Sequence, residues 1–436
     1  MRGDMTIASE GDPATVVHQE AVQTPKAVVV GAGIIGICTA LQLQRAGFET
    51  VVLDRQAPGE GASYANGGVV GEQHVAPMAV PGVLRKLPAM LSDRESPLSI
   101  RWSYLWQLAP WLVRFVASAR PKKVRRVAGA MADLLDSSTA AYDRLLESVG
   151  ENDMIRRTGW LCVYETARGF AGDAAKRDLE EQLNRDFEVI PAEALRQFEP
   201  ALGDSQRFYN GVYYGDVGHV RDNYRLIQIL ARNFRCAGGR ILREEASGFE
   251  FSDDRVRGVR TNRALHVCDH VVIAAGAWSR ALTRQLGDDP PLDTERGYSL
   301  TLPHREIAPR MPIYSTERGM VCTPLDTGLR IAGTVEFGGL DAEPDWQRAE
   351  LLMKHAKRFF PDLDGQPVGH WMGMRPSMPD SLPVISRATR HPNAVFAFGH
   401  GHCGLMLGAR TGELVRDLVL DRSPPIDMMH YRVDRF

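Results

Sequence analysis

The sequence VVVGAGIIGICTALQLQRAGFETVVLD, residues 28–54, contains the strongest structural signal in the chain. With Ala27, its first residues form an apolar run that is typical of a parallel strand buried on both faces. A glycine-rich turn follows, and then a helical pattern runs from about Ile34 to Ala46 and ends at Gly47. Residues 50–54 form a second apolar run. This order predicts a strand–helix–strand unit with a right-handed crossover.

The glycines of the turn have the spacing GxGxxG, with Gly31, Gly33 and Gly36. The first glycine permits the tight turn, the second lets the backbone approach a pyrophosphate, and the third lets the helix pack on the strand. The helix N-terminus then offers free N–H groups and a positive dipole end to the phosphates. Asp54 ends the second strand, where a carboxylate can accept hydrogen bonds from a ribose. The pattern predicts a dinucleotide without a 2′-phosphate, which argues against NADP and leaves FAD and NAD open.

The composition is that of an ordinary globular protein. The chain has 436 residues, 44% of them hydrophobic, and a net charge of −2, so no basic field favours nucleic acid. The six cysteines are far apart and lack metal-ligand spacing, which predicts reduced thiols in a cytoplasmic protein and no metal site. Residues 1–24 are polar and of mixed charge, and we expect a disordered leader there. No run approaches the ~18 apolar residues of a spanning helix.

Further Rossmann-like pieces occur in the middle of the chain and near its end, at residues 271–274 and 395–420. Short strands separated by turns occur between them, for example over 297–335. The sequence therefore predicts an α/β fold in which a Rossmann-type dinucleotide domain is assembled from separated segments. An inserted α+β substrate domain with a mainly antiparallel sheet completes it. The predicted boundaries are 25–97, 215–290 and 366–436 for the dinucleotide domain, and 98–214 and 291–365 for the substrate domain.

Several motifs occur in the order found in one flavoprotein family. They are VVVGAGIIGICTALQLQRAGFETVVLDR, GEGASYANGG (59–68), VVIAAGAWS (271–279), GYSLTLP (297–303), GMRPSMPDSLPVI (373–385) and FGHGHCGLMLGARTGELVRDL (398–418). From about residue 26 onward the chain resembles the D-amino-acid oxidase superfamily, and within it the bacterial D-amino-acid dehydrogenases. Glycine and sarcosine oxidases are more distant relatives. The resemblance implies that the dinucleotide is FAD.

The resemblance also implies which residues contact FAD. Those expected at the ADP half are Gly31, Ala32, Gly33, Ile34, Ile35, Gly36, Asp54 and Arg55. Those expected along the pyrophosphate and the flavin ring are Ala62, Ser63, Asn66, Gly67, Gly68, Ala275, Gly276, Trp278, Gly373, Gly399, His400, Gly401, His402, Cys403 and Gly404. Gly373 stands where monomeric sarcosine oxidases have the cysteine that links the flavin, which favours noncovalent FAD.

The substrate site requires a cation for the carboxylate, and a guanidinium can bind a carboxylate with two hydrogen bonds. By resemblance, Arg375 has this role. His402 lies where glycine oxidase has a second cation, although a histidine in a loop can also be a structural hydrogen-bonding residue. Tyr298 is a weaker candidate for a substrate lid, and the alternative is a core tyrosine. No obligatory general base stands out in the sequence.

The implied reaction is oxidative deamination of a D-amino acid, with D-proline or D-hydroxyproline as candidates, by hydride transfer from Cα to flavin N5. The product is an imino acid, which water converts to a 2-oxo acid. Alternatives are a glycine- or sarcosine-type amine oxidase and an FAD-dependent 2-hydroxy-acid dehydrogenase. A flavoprotein subunit that only relays electrons is a further alternative, against which Arg375 argues.

Residues 100–126 combine an apolar stripe with a cluster of cations. The stripe consists of Trp102, Leu105, Trp106, Ala109, Leu112, Val113 and Val116, and the cations are Arg120, Lys122, Lys123, Arg125 and Arg126. The stripe either packs against the substrate domain or lies on anionic lipid at the inner face of the cell membrane. Pro110 is expected to kink or break the helix. Membrane contact favours quinone as electron acceptor and a soluble enzyme favours oxygen, while the oligomeric state stays open.

Overall fold

The computed structural model describes residues 24–64, 66–81, 93, 95–203, 207–303 and 308–436. Almost all of the predicted leader, residues 1–23, lies outside this range. In chain order the strands are β1 (Lys26–Val30), β2 (Glu49–Asp54), β3 (Val69–Val70), β4 (Leu98–Ile100), β5 (Ile155–Arg156), β6 (Trp160–Tyr164), β7 (Glu188–Pro191), β8 (Asn210–Tyr214), β9 (Gly218–Val220), β10 (Arg240–Arg243), β11 (Ala246–Ser252), β12 (Arg255–Thr261), β13 (Leu265–Val267), β14 (His270–Ile273), β15 (Asp293–Leu302), β16 (Ile313–Ser315), β17 (Met320–Leu325), β18 (Gly328–Phe337), β19 (Gly369–Ser377), β20 (Val384–Arg387) and β21 (Ala394–Phe398).

The α-helices of the described residues connect these strands. They are α1 (Ile34–Arg45), α2 (Leu105–Ser118), α3 (Pro121–Leu135), α4 (Ser138–Glu147), α5 (Ala167–Gly172), α6 (Ala174–Gln182), α7 (Ala192–Phe198), α8 (Asn223–Cys236), α9 (Ser279–Gln285), α10 (Gln347–Phe359) and α11 (Gly404–Val419).

A six-stranded sheet holds the predicted strand–helix–strand unit. Its order is β10–β2–β1–β14–β21–β20, and all pairs are parallel except β20 with β21. The apolar residues of β1 and β14 are buried, as expected for central parallel strands. Helices α1 and α11 pack on each other beside this sheet. The predictions for this unit are confirmed to within one residue at most ends, because both its apolar runs and its glycine signals are local.

A second, nine-stranded sheet has the order β19–β15–β18–β17–β16–β6–β8–β7, with β4 paired to β18. Its pairs are antiparallel except β16 with β6 and β18 with β4. Helix α10 packs on β15 and β18. Strand β19 belongs to the segment 366–436 that the sequence assigns to the dinucleotide domain, yet its hydrogen bonds are with β15. The last part of the chain therefore contributes to both sheets, and the functional site lies where they meet.

Helix α2 differs from the expectations at two points. It continues through Pro110, because the carbonyl that loses its N–H partner belongs to Trp106, on the exposed side where water can satisfy it. The alternative in which the whole stripe packs against the substrate domain is also wrong, since the exposed fractions are 80% for Trp102, 87% for Trp106 and 70% for Val113. The helix instead packs through Leu108 and Trp111 against Phe337 of β18.

Within the described part of the chain, no helix is both long enough and apolar enough to cross a membrane.

Candidate active site

A large cavity of 1770 Å³ lies between the carboxyl ends of the parallel strands and the second sheet. In open parallel sheets this edge is where ligands bind. Its volume exceeds the 300–1,000 Å³ range of ordinary small-molecule pockets, as expected for a cavity that holds a dinucleotide together with a substrate. Most of the residues predicted to contact the cofactor line it: Gly31, Gly33, Ile34, Ile35, Asp54, Arg55, Ala62, Ser63, Asn66, Gly67, Ala275, Gly276, Trp278, Gly373, His400, Gly401, His402 and Gly404.

The glycine-rich turn fits a diphosphate. A Cβ on Gly31 would lie 2.3 Å from the carbonyl oxygen of Ala274, and one on Gly36 would lie 1.9 Å from the oxygen of Gly31, so both positions exclude a side chain. At Gly33 a Cβ would meet only the Ser63 hydroxyl at 3.4 Å, and it would otherwise enter the cavity. The turn therefore brings bare backbone to the cavity at the start of α1, where the N-cap residue Gly33 has no side chain to cap the helix.

Ser63 lies against the same helix end, since its Oγ accepts a hydrogen bond from the Ile34 N–H at 3.2 Å. Five of the predicted cofactor residues do not line the large cavity. They are Ala32, Gly36, Gly68, Gly399 and Cys403.

Asp54 is held at the end of β2 by backbone donors. Its Oδ2 accepts from the Ala32 N–H at 2.7 Å and its Oδ1 from the Gln56 N–H at 2.8 Å. Burial raises the pKa of Asp54, and these two donors oppose that effect. The guanidinium of the neighbouring Arg55 lies 4.1 Å from the ring centroid of Trp278, a cation–π contact that ties the two sides of the cavity together. The arrangement fits an adenosine ribose near Asp54.

The turn after β21 lies at the other end of the cofactor region. Gly399 and Gly401 have φ values of 81° and 51°, which side chains rarely adopt. Burial lowers the pKa of His400 to about 3, so its ring is neutral and pairs through Nε2 with Thr411 Oγ1 at 3.0 Å. Burial also raises the pKa of the Cys403 thiol to about 12.

Arg375 projects from β19 into the cavity. Its guanidinium crosses Gly297 of the paired strand, where a Cβ would lie 2.1 Å from Cζ. Nη1 donates to the carbonyl oxygen of Thr334 at 2.9 Å, and no carboxylate of the described residues lies within ion-pair distance. Burial lowers the pKa of Arg375, and nearby Glu295 opposes this. Arg375 is therefore a fixed cation with donors left for an anionic ligand.

An irregularity in β18 creates the acceptor for Arg375. The pairing of β15 with β18 skips one residue between the Arg296–Glu336 and Tyr298–Gly333 partners, and Thr334 there has a φ of 57°. Such a bulge redirects backbone groups next to a site. Nothing in the local sequence signals this conformation for a threonine.

Sequence reasoning missed Glu295, which lies beside Arg375. Its Oε1 accepts from the Ser377 hydroxyl at 2.6 Å, and its Oε2 is 2.9 Å from Nε2 of His402. Burial alone would raise the pKa of Glu295, but His402, Ser377 and Arg375 together hold it below its usual range. The structure thus brings two predicted substrate residues, Arg375 and His402, to one buried carboxylate.

Three other polar side chains of this cavity end were also missed: His74, Lys176 and Tyr314. Burial, with smaller contributions from Lys176 and His402, lowers the pKa of His74 to about 3, so this ring is neutral. Isolated residues of these types in a sequence give no signal of convergence, because they come from a loop, a helix and a strand.

Tyr298 borders the cavity but is only 1% exposed. Its hydroxyl donates to Glu336 and accepts from the Asp345 N–H at 2.8 Å. Burial and the Glu336 carboxylate raise its pKa to about 12. The hydroxyl is therefore engaged by the protein itself.

Comparison with known proteins agrees with this geometry. The family profile described as "DAO: FAD dependent oxidoreductase" matches residues 26–418. A D-amino-acid oxidase of Bradyrhizobium diazoefficiens is 36% identical over 94% of this chain and 98% of the relative. D-amino acid dehydrogenase 2 of Ralstonia nicotianae is 32% identical over 93% and 99%.

Solved structures share the fold. Glycine oxidase from Geobacillus kaustophilus has a TM-score of 0.74 at 20% identity, covering 95% of this chain and 100% of the other. L-proline dehydrogenase from P. horikoshii has a TM-score of 0.73 at 18% identity, covering 94% and 97%. The family match spans most of the chain and the cavity fits the cofactor, so the chain belongs to the DAO family of FAD dependent oxidoreductases and is an FAD-dependent enzyme.

Proposed function

We propose that this enzyme oxidises a D-amino acid to its imino acid, which water then hydrolyses to a 2-oxo acid and ammonia. The relatives named D-amino-acid oxidase and D-amino acid dehydrogenase support this substrate class. Glycine oxidase and L-proline dehydrogenase, which share only the fold, keep a glycine- or sarcosine-type amine and a cyclic substrate such as D-proline among the compounds to be tested.

The observation that carries the proposal is the unpaired cation Arg375 in the cavity wall. A buried guanidinium is costly unless an anion compensates it, and the described residues supply no carboxylate within ion-pair distance. A substrate carboxylate would complete the site with charge-assisted hydrogen bonds. Thr334 and Gly297 fix the guanidinium, so that the carboxylate would be bound in one orientation.

Bound FAD supplies the acceptor for the two electrons and the hydrogen that leave the substrate Cα. The glycine turn, the N-terminus of α1 and Asp54 would hold it. Arg375 binds and orients the substrate, and the apolar walls of the cavity exclude water, which strengthens this charge pairing. A neutral His400 adds no second charge to the turn beside the cofactor.

The domain organisation belongs to the same proposal. In it the six-stranded sheet, with 25–97, 215–290 and most of 366–436, forms the FAD-binding domain. Residues 98–214 and 291–365 form the inserted substrate domain, to which β19 adds an edge strand. Tyr298 then has a positioning role within the substrate domain, since its hydroxyl is already bonded to Glu336 and Asp345.

A substrate panel tests the function. The purified flavoprotein is mixed anaerobically with D- and L-amino acids, D-proline, D-hydroxyproline, glycine, sarcosine and 2-hydroxy acids, and bleaching of the flavin absorbance is followed. We expect D-amino acids to bleach fastest. Faster bleaching by sarcosine or by a 2-hydroxy acid would replace the proposal with the corresponding alternative, and bleaching by none of them would favour an electron-relay subunit.

We also propose that FAD is held noncovalently. Gly373 offers no side chain for a linkage, and the Cys403 thiol lies outside the large cavity with its pKa raised to about 12. Acid precipitation should release all flavin into the supernatant. Flavin that stays with the denatured protein would contradict this.

The exposed face of α2 supports peripheral contact with an anionic membrane surface. Trp106 and Val113 project from it, and Trp102 is exposed in the turn just before it. Residues 96–132 contain seven Lys or Arg and no Asp or Glu. Arg101 pairs with Glu336, and the other six make no ion pair with a described carboxylate. Aromatic side chains followed by unpaired cations match a lipid interface, where each cation near the surface contributes about 1 kcal/mol.

The opposite face of the same helix lines the cavity with Trp111, whose Nε1 donates to the Ser377 carbonyl at 3.2 Å. A membrane on α2 would therefore lie one helix away from the substrate site, which favours a lipid-soluble quinone as electron acceptor.

Vesicle sedimentation tests the surface. We expect binding to vesicles with phosphatidylglycerol, little binding to pure phosphatidylcholine, and weakening by salt. A W102S/W106S variant should bind at least about tenfold more weakly, since a buried large apolar side chain contributes ~1.5–3 kcal/mol. The matched control is Val368→Ser, an exposed apolar residue outside this helix. Equal binding of both variants would contradict the membrane surface, and rapid turnover with oxygen but none with a quinone analogue would contradict a quinone as the electron acceptor.

A further inference from the structure

Glu295 has no part in holding the substrate carboxylate, yet it is a buried carboxylate in the substrate cavity. It is 4% exposed. Its two oxygens face different groups, with Oε1 on the Ser377 hydroxyl at 2.6 Å and Oε2 at 2.9 Å from His402 Nε2. A charge in such surroundings is retained only where partners compensate it. Glu295 is therefore placed to act on His402.

The ring of His402 is oriented by this contact. Nε2 is buried against Glu295, so the atoms of the ring that face the cavity are the other ones. Nδ1 forms no hydrogen bond with any residue that the structure describes. One ring nitrogen is thus held by a carboxylate while the other is left for a ligand, which is the arrangement of a base with an orienting acid.

The groups around the pair come from several elements. Arg375 approaches from β19 and favours the ionised form of Glu295, whose pKa lies below its usual range because of His402, Ser377 and Arg375, despite burial. His74 faces His402 from the loop after β3, and its pKa of about 3 leaves it neutral. His400 on the same turn is also neutral. Glu295 is thus the anion in direct contact with His402.

We propose that His402 accepts the proton of the substrate ammonium and that Glu295 is the positioning residue that orients the ring and stabilises the resulting imidazolium. This rests on the proposed function. A D-amino acid arrives as a zwitterion whose nitrogen has no lone pair. Transfer of one N–H proton to Nδ1 leaves a neutral amine and an imidazolium beside the Glu295 carboxylate. The freed lone pair can then form the C=N bond when the Cα–H bond is oxidised.

The pH dependence of kcat/KM tests the pair. The wild-type profile should have a limb that rises with pH, because a base must be free of its proton before it can accept one from the substrate. In Glu295→Gln, the loss of the negative charge beside the base should move the midpoint of this limb to lower pH by about one unit or more. The plateau of kcat should fall by roughly 10²-fold, the typical contribution of a positioned base. KM at high pH should change less than threefold, since Arg375 still binds the carboxylate.

His402→Asn should remove the limb and lower the plateau by a similar factor. Glu413→Gln is the matched control, because Glu413 is a buried glutamate outside the cavity that pairs with Arg144. Its profile should match the wild type.

If Glu295→Gln lowered the activity without moving the limb of the pH profile, Glu295 would contribute only packing and the proposal would be overturned. A limb that persists in His402→Asn would also overturn it. These outcomes are distinct from failure of the proposed function, which would appear in the wild-type protein as no flavin bleaching by any D-amino acid.

Discussion

Strand β15 carries two buried charged clusters on its opposite faces, and they differ in how their charges are compensated. The closed cluster contains Arg296, Tyr298, Glu336 and Arg101. Arg296 is 0% exposed with Nη1 3.4 Å from Glu336 Oε2, and Arg101 Nε donates to Glu336 Oε1 at 2.6 Å. In this cluster the protein supplies the cations, the carboxylate and the hydroxyl.

The open cluster contains Arg375, Glu295, His402 and Ser377. Although Glu295 and Arg375 are direct partners in the β15–β19 pairing, the carboxylate contacts Ser377 and His402 instead of the guanidinium. Arg375 is left with one backbone acceptor. Neighbouring residues on a strand point to opposite faces, so Glu295 belongs to the open cluster and Arg296 to the closed cluster. The open cluster thus contains a buried cation without a protein anion, whereas Glu336 compensates the cations of the closed cluster.

The largest effect is expected from breaking the closed cluster. Glu336→Gln leaves Arg296 buried without its counter-charge, and removal of one partner of a buried pair typically costs about 3–5 kcal/mol of unfolding free energy. Urea denaturation should show this loss, while kcat/KM of the folded fraction changes less than about tenfold.

The control for Glu336→Gln is Glu250→Gln. Glu250 pairs with Arg260 on the surface at 3.1 Å, and such a pair contributes at most about 1 kcal/mol. Equal losses of stability in both variants would remove the distinction between a buried and a surface pair.

Arg375→Met should have the opposite effect to Glu336→Gln and lower the activity without lowering the stability. Loss of charge-assisted hydrogen bonds worth about 1.5–3 kcal/mol should lower kcat/KM by roughly 10- to 100-fold, mainly through KM. The free energy of unfolding should stay constant or rise, because an unpaired buried cation is removed. Bound flavin, measured by absorbance, should be unchanged. A strong loss of stability with normal KM would show that Arg375 belongs to the scaffold.

Gly297→Ala tests the position of the Arg375 guanidinium without removing a charged group. Its Cβ would lie 2.1 Å from Arg375 Cζ and would displace the guanidinium, so KM should rise on the order of tenfold. Gly369→Ala on the paired strand β19 is the control, since a Cβ there meets nothing within 4 Å. If Gly297→Ala raised KM no more than the control, the guanidinium position would not matter for binding.

The cofactor half of this site could be predicted from the sequence because its signals are local. The apolar run of β1, the glycines of the turn and Asp54 lie within one strand–helix–strand unit, and the structure holds them as expected. Arg375 was reached only by resemblance, since an isolated arginine has no local signal.

The open cluster could not be predicted in the same way. It depends on the register that sets β15 against β19 and on the turn that brings His402 back to Glu295. Helix α2 shows a related limit. Apolar residues occur on more than one of its sides, so the pattern did not tell that Leu108 and Trp111 face the core while Trp106 is exposed.

The smallest expected effect is on the free energy of unfolding at acidic pH. The pKa of Glu295 in the folded protein lies below its usual value because His402, Ser377 and Arg375 outweigh the effect of burial. A carboxylate with a depressed folded pKa contributes stability above its unfolded pKa of about 4.3, and this contribution is lost as pH falls through the folded value.

Wild-type protein should therefore lose more unfolding free energy between pH 6 and pH 3 than Glu295→Gln, which has no proton to bind at this position. The urea midpoints of the two flavin-saturated proteins, measured across this range, should converge as pH falls. Parallel curves would mean that folding does not lower the pKa of Glu295, and a gain in stability of the wild-type protein relative to Glu295→Gln as pH falls would mean that Glu295 is protonated in the folded enzyme. The open cluster would then lack the anion that opposes Arg375 and orients His402, and its difference from the closed cluster would be one of exposure alone.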